Sequence, residues 1–157
     1  MNQSFREHVD RLPDLMDALT SSPMHDWHNL RGIPSDGAGI YVFYENGLPI
    51  YVGRTRKMRQ RIRSHGYKGS RNNSASFALN LAKKNAETRG VDVTRSRSEL
   101  DEDPAFKSLF DAERERERVR RMSVQVIKID DPVTQTLFEV YAVLGLDTQE
   151  FNDFGTH

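Results

Sequence analysis

The sequence predicts a mixed α/β chain of the α+β kind, with a small sheet set among several helices. Three observations predict it. Two runs rich in β-branched and aromatic residues, at 39–44 and 49–53, flank Asn46-Gly47, which is a β-hairpin signal. A third run, at 123–129, places Val124, Val126 and Ile127 or Ile129 among polar positions as a strand does. Much of the remainder carries apolar residues at helical spacing.

Taken in order, Phe5, Val9, Leu12, Leu15, Met16 and Leu19 predict a helix over 3–20, which Pro13 kinks or splits. Residues 21–38 hold Pro23, Gly32, Pro34 and Gly37 and read as a loop. After the hairpin, residues 56–65 read as a basic helix with Met58 and Ile62 toward the core. Residues 74–89 read as another helix, bearing Phe77, Leu79 and Leu81. Residues 90–103 are polar and read as irregular, and 104–121 as one further helix. Its alternating Arg and Glu over 113–118 have the pattern of a solvated face. Past the third strand, Asp131-Pro132 is a helix start, with Asp as N-cap and Pro in the first position. That helix is expected to stop at Gly145. The tail from Asp147 is polar apart from Phe151 and Phe154.

A chain of 157 residues suits one compact domain, and 36% apolar content is enough for a core without excess. No apolar run approaches the ~18 residues of a membrane-spanning helix. The N-terminal residues are polar and charged, unlike a secretory signal. A cytoplasmic protein with no membrane partner is therefore expected. The absence of Cys excludes disulfides and thiolate metal sites. His25, Asp26 and His28 lie close together but have no further ligand nearby in sequence.

Formal net charge is zero, yet the charge is segregated. No acidic residue lies between Glu45 and Glu87, whereas Arg54, Arg56, Lys57, Arg59, Arg61, Arg63, Lys68, Arg71, Lys83 and Lys84 all do. Two readings of this stretch stay open. It forms a local positive surface for a polyanion, or its cations meet acids from elsewhere in the fold. Glu139 raises a related question, since it is the one charged residue between Val133 and Leu146. A carboxylate in such surroundings needs compensation, from a bound cation or an Arg, unless it lies on a narrow exposed stripe.

Gly39-Ile40-Tyr41 followed by Tyr51-Val52-Gly53 resembles the paired signature of the GIY-YIG nuclease superfamily. Arg54 directly after the second tripeptide, Arg61 and His65 on the next helix, Glu139 in a later apolar helix and Asn152 beyond it continue the resemblance. It covers roughly 37–65 and 123–154. On this view the chain is a single nuclease domain over 1–157, with an N-terminal helical extension at 1–36 and a helical insertion at 66–122. The resemblance implies a mainly antiparallel three-stranded sheet flanked by helices, and hydrolysis of phosphodiester bonds with one divalent cation, Mg²⁺ or Mn²⁺.

It also implies roles. Tyr41 is the expected general base, as a phenolate or through a shared proton network. Its ordinary pKa of about 10 would have to be lowered by Arg54, Arg61 and the metal. Tyr51 belongs to the same network and orients the water. Arg54 and Arg61 hold phosphate oxygens. Glu139 is the metal ligand. His65 touches a phosphate or relays a proton, and Asn152 positions a phosphate or supports the site by hydrogen bonds. Arg56, Lys57, Arg63, Lys68 and Arg71 are the expected nucleic-acid contacts, DNA being favoured over RNA. The insertion is a candidate surface for a protein partner. The alternative is a catalytically weak nucleic-acid-binding or structure-recognising module that acts with other subunits.

One site requires both phenols on one face of the hairpin. A strict two-residue Asn-Gly turn, continued without interruption, pairs Tyr41 with Val52 and sends Tyr41 and Tyr51 to opposite faces. A three-residue loop, Glu45-Asn46-Gly47 with Gly47 as a left-handed bulge, sets Tyr41 directly across from Tyr51. The bulged loop is therefore expected, with Ile40, Val42, Ile50 and Val52 forming the opposite, apolar face.

Overall fold

The computed structural model describes residues 2–67, 76–109, 111–152 and 154. A four-stranded antiparallel sheet, in the order β1-β4-β2-β3, is flanked by helices on both faces. The strands are β1 (His25–Asp26), β2 (Gly39–Glu45), β3 (Leu48–Thr55) and β4 (Ser123–Lys128). The helices are α1 (Gln3–Val9), α2 (Leu12–Thr20), α3 (Met58–Gly66), α4 (Ser76–Thr88), α5 (Arg97–Glu102), α6 (Pro104–Leu109), α7 (Ala112–Arg120) and α8 (Pro132–Gly145).

The expected mixed class holds, with β1 as a fourth strand. β1 is two residues long and has no pattern of its own. It is fixed from outside, where the buried Gln125 of β4 donates from Nε2 to the carbonyls of Thr20 and Ser22 at 3.1 and 2.7 Å. Pro13 splits the N-terminal segment into α1 and α2 and sits in the first turn of α2, where its missing N–H costs nothing. The irregular stretch expected at 90–103 contains α5, closed by a capping box in which Ser96 and Glu99 satisfy each other's backbone N–H. The single helix expected over 104–121 is two, because Asp111 caps a fresh start by accepting from the backbone N–H of Glu113 and Arg114. α8 begins as expected, with Asp131 accepting from Thr134 N at 2.7 Å. It runs through Gly145, and the chain turns instead at Asp147, whose φ is 55°.

The hairpin departs from expectation in an instructive way. The loop has two residues, Asn46 at φ 52° and Gly47 at φ 79°, as a type I′ turn requires. Glu45 pairs with Leu48 and Tyr44 with Pro49, but the next pair is Phe43 with Tyr51. Ile50 is thus the extra residue of a β-bulge within β3. Tyr41 faces Gly53 across the ladder, not Tyr51. The two tyrosines still share one face, because the bulge rather than the loop supplies the one-residue shift. The same shift moves Ile50 off the apolar face assigned to it. It packs with Tyr41 and Tyr51, while Ile40, Val42 and Val52 lie on the other side.

Two layers of core follow. On one face Tyr41, Phe43 and Tyr51 pack with Met58 and Ile62 of α3, Phe77 and Leu81 of α4 and Val119 of α7. On the other, Ile40, Val42 and Val52 meet Phe138, Ala142 and Val143 of α8, with Leu12 and Leu19 of α2 outside them. A smaller cluster, Ala82, Ala86, Leu100 and Phe106, ties α4 to α5 and α6. Among the described residues no helix is long and apolar enough to cross a membrane.

The alternating charges of α7 are not a simple solvated face. Glu115 is buried, and Arg118 donates from Nε and Nη2 to both carboxylate oxygens of Glu45 at 2.7 Å each. Arg120 reaches Glu113 at 2.7 Å and the Gly66 carbonyl at 2.6 Å, which fastens α7 to the end of α3.

Nothing lies within 4 Å of a Cβ built on Gly47, so a substitution there acts through backbone conformation alone. Gly47→Val is expected to lower unfolding free energy by about 1–2 kcal/mol, the usual cost of an L-residue in the left-handed region. Urea denaturation measures it. A change within experimental error would mean that the type I′ turn is not what holds the hairpin.

Candidate active site

The first tyrosine is delivered to the site by a glycine. The ring of Tyr41 lies across the backbone of Gly53 so closely that a Cβ there would fall 2.1 Å from Tyr41 Cζ. Gly39 is as tightly placed, its missing Cβ 2.0 Å from the Ile127 carbonyl oxygen. These contacts give a steric reason for a glycine in each tripeptide.

α3 brings the next two groups. Arg61 and His65 are one turn apart, on the side of the helix that meets the hairpin. Tyr41 Oη and His65 Nε2 share a hydrogen bond of 2.6 Å, and Arg61 also hydrogen-bonds to the Tyr41 hydroxyl. His65 is fully buried, and its Nδ1 has no partner among the described residues. Burial, reinforced by the positive charge of Arg61, pushes its pKa down to about 3, so the imidazole is neutral. Tyr51 completes an aromatic cage, its ring centroid 6.3 Å from Tyr41 and 5.6 Å from His65.

Tyr41 is only 1% exposed. Burial, then the neighbouring Tyr51, raises its pKa well above the ordinary phenol value, and Arg61 opposes this only in part. Arg61 thus acts in the expected direction, but desolvation of a phenolate outweighs one guanidinium. His65 is likewise too buried to touch a phosphate directly.

Glu139 enters from α8. One turn before it, the buried Gln135 donates from Nε2 to the Gly39 and Thr55 carbonyls at 3.2 and 3.0 Å, anchoring α8 to the ends of β2 and β3. Burial raises the Glu139 pKa, and the Arg54 guanidinium works against that rise. Arg54 Nε lies 3.1 Å from Glu139 Oε2, and its Nη1 donates to Thr136 at 2.6 Å. The ion pair resolves the charge puzzle in the apolar helix, with the carboxylate side chain still 24% exposed.

Asn152 does not point at the other groups. Its Nδ2 donates to the Val52 carbonyl at 2.7 Å and its Oδ1 accepts from Val52 N at 3.1 Å. Thr148, itself buried, donates to the same Oδ1 at 3.0 Å. β3 is an edge strand, so this amide satisfies the backbone that a neighbouring strand would otherwise engage.

The structure thus brings together Tyr41, Tyr51, Arg61 and His65, sets the Arg54–Glu139 pair beside them, and holds Asn152 against the edge of β3. Arg56, Lys57 and Arg63 are exposed around α3. Arg59, by contrast, is used internally, donating to the Ile33 and Arg31 carbonyls. Lys68 and Arg71 lie outside the described residues. Among those described, no three His, Asp or Glu side chains converge as a metal cluster.

Sequence spacing did not reveal the other wall. Tyr51 stacks on Phe77 of α4 at 4.3 Å. Tyr51, Glu139 and Asn152 line a cleft of about 810 Å³ whose opposite side is Asn80, Lys83 and the segment 93–97. Only the Ser96-x-x-Glu99 capping signal marked that segment as structured.

A family model described as the GIY-YIG catalytic domain matches residues 37–118, just over half of the chain. The chain is also similar to "Uncharacterized protein YurQ" of Bacillus subtilis (strain 168), 41% identical over 44 residues. That match spans 27% of this chain and 36% of the relative.

The buried imidazole has a consequence for stability. Its folded pKa lies below the ordinary value of about 6.5, so the unfolded state binds the extra proton. The contribution is present above about pH 6.5 and is lost as pH falls toward 3. Unfolding free energy should therefore drop by roughly 1–2 kcal/mol between about pH 6.5 and 5. In His65→Gln, which does not titrate, that slope should flatten. An identical slope in both proteins would show that His65 is not held neutral.

Proposed function

Since the chain belongs to the GIY-YIG nuclease superfamily, we propose that it is a divalent-metal-dependent endonuclease that hydrolyses phosphodiester bonds, in DNA by preference, with a site made of Tyr41, Tyr51, Arg54, Arg61, His65 and Glu139. The observation that carries this reading is the hydrogen-bonded Tyr41–His65 pair beside Arg61.

Hydrolysis needs an acceptor for the proton of the attacking water. Arg61 is a donor only, so the Tyr41 oxygen accepts from it and the phenolic proton is directed to His65 Nε2. As the water oxygen bonds to phosphorus, its proton passes to the Tyr41 oxygen and the Tyr41 proton passes to His65 Nε2, where the negative charge developing on the phosphate offsets the burial and the Arg61 charge that otherwise keep this imidazole neutral. No free phenolate is formed, which suits a tyrosine whose pKa is raised. The P–O bond opposite the water breaks, and the departing sugar oxygen takes a proton from solvent. Tyr51 lines the cleft and orients the water. Arg61 and Arg54 hold phosphate oxygens with their planar guanidinium forks. Asn152 acts by positioning β3, one residue from Tyr51.

The donor set fits a hard divalent cation. Among the described residues Glu139 is the one acid that lines the cleft, and its carboxylate is partly exposed there beside Arg54. One carboxylate together with waters and substrate oxygens is a usual protein share for Mg²⁺ or Mn²⁺. Such a cation supplies Lewis-acid stabilisation of the charge that develops on phosphate. Arg56, Lys57 and Arg63 extend the cationic surface along the substrate backbone.

Glu139→Gln is expected to reduce cleavage by at least about a hundred-fold while the fold is kept. Plasmid and oligonucleotide cleavage with Mg²⁺, with Mn²⁺ and with EDTA tests it, with circular dichroism as the control. Cutting at the parental rate, or in EDTA, would remove Glu139 and the metal from the reading. Tyr41→Phe keeps the ring over Gly53 but breaks the relay, and should cost about 10²–10⁴-fold in rate. Full activity in that variant would place the proton acceptor elsewhere.

A further inference from the structure

The cleft in front of Tyr51 has a composition that the catalytic residues do not explain. Its far wall presents Lys83 from α4 with Arg95 and Arg97 from the segment leading into α5, against Glu139 as the one acid among the described lining residues. Arg95 is paired with Asp103, and Arg97 lies 3.6 Å from Asp101, but Lys83 has no ion-pair partner among the described residues. Asn80, Thr94 and Ser96 add neutral hydrogen-bonding groups between these cations. At one end stands Phe154, a large aromatic left 53% exposed although it lines the same cleft.

An exposed aromatic beside a cationic groove is the arrangement that holds single-stranded nucleic acid, by stacking of bases and tracking of phosphates. Size points the same way. A cleft of about 810 Å³ is in the range that encloses a drug-sized molecule, comparable to one or two nucleotides and far less than a double helix. Resting on the nuclease reading above, we propose that this cleft takes one unpaired nucleic-acid strand, with Phe154 stacking on a base and Lys83 and Arg97 holding the adjacent phosphates. The wall formed by α4 and residues 93–97 then selects unpaired strands and leads them to Tyr51.

The test uses the full chain in EDTA, so that binding is read without cleavage. A fluorescent oligodeoxynucleotide of about 12 nucleotides, within the usual site size, is titrated single-stranded and as a blunt duplex at fixed salt. The single strand is expected to bind about ten-fold tighter or better. Phe154→Ala should weaken it by about five- to a hundred-fold and leave the duplex unaffected. Lys83→Glu should flatten its salt dependence by about 0.7 in log–log slope, one phosphate's share on a single strand. Equal affinity for the two forms, or a single strand indifferent to Phe154 and Lys83, overturns the proposal. Cleavage assayed separately with Mg²⁺ distinguishes the two readings. Single-strand cutting that Phe154→Ala leaves at the parental rate sinks the strand subsite and spares the nuclease. Phe154-dependent strand binding with no cutting of any nucleic acid does the reverse.

Discussion

The ring of Tyr41 can lie where it does only because residue 53 has no side chain. The rest of the site depends on that contact. With the ring flat against β3, its hydroxyl reaches past the strand to His65 and Arg61 on α3. A larger residue at 53 would lift the ring, and the hydroxyl would miss both partners. The bulge at Ile50 serves the same arrangement, turning Tyr51 to the same side and closing the cage over the imidazole. Hairpin register, glycine placement and the pitch of α3 thus solve one geometric problem together.

Burial divides the polar groups into two sets. Tyr41 and His65 are almost wholly buried, and desolvation favours the neutral form of each at rest, the phenol by a raised pKa and the imidazole by a lowered one. Arg54 and Glu139 form an ion pair that is partly exposed, with Glu139 at the cleft. Protons can be exchanged inside a dry compartment while charge is presented to a polyanion outside it. The proposed hydrolysis draws on both sets.

Features set by neighbours in sequence were legible beforehand. The place of the hairpin turn at Asn46-Gly47 (though not its two-residue form), the Asp131 cap and the break at Pro13 each rest on a few consecutive residues. What escaped was decided by distant residues or by a choice between equivalent local solutions. β1 exists because Gln125 holds its approach from another strand. The one-residue shift of the hairpin suits a bulged loop or a bulge at Ile50 equally well on paper, and only packing around Tyr51 and Phe77 separates them. Arg54 lies far from Glu139 in sequence, so the ion pair was one of several open compensations for the carboxylate. The breaks that make α5, α6 and α7 separate were readable at Ser96-x-x-Glu99 and Asp111, but charge alternation dominated the pattern there.

The amide of Asn152 occupies both the donor and the acceptor of Val52 on the outer edge of β3. An uncovered edge strand is a template on which another chain can lay a strand of its own. A single side chain takes that place at Val52, and Thr148 holds it there. Any chain that paired with this edge at Val52 would first have to displace the amide, next to the residue that carries the second phenol.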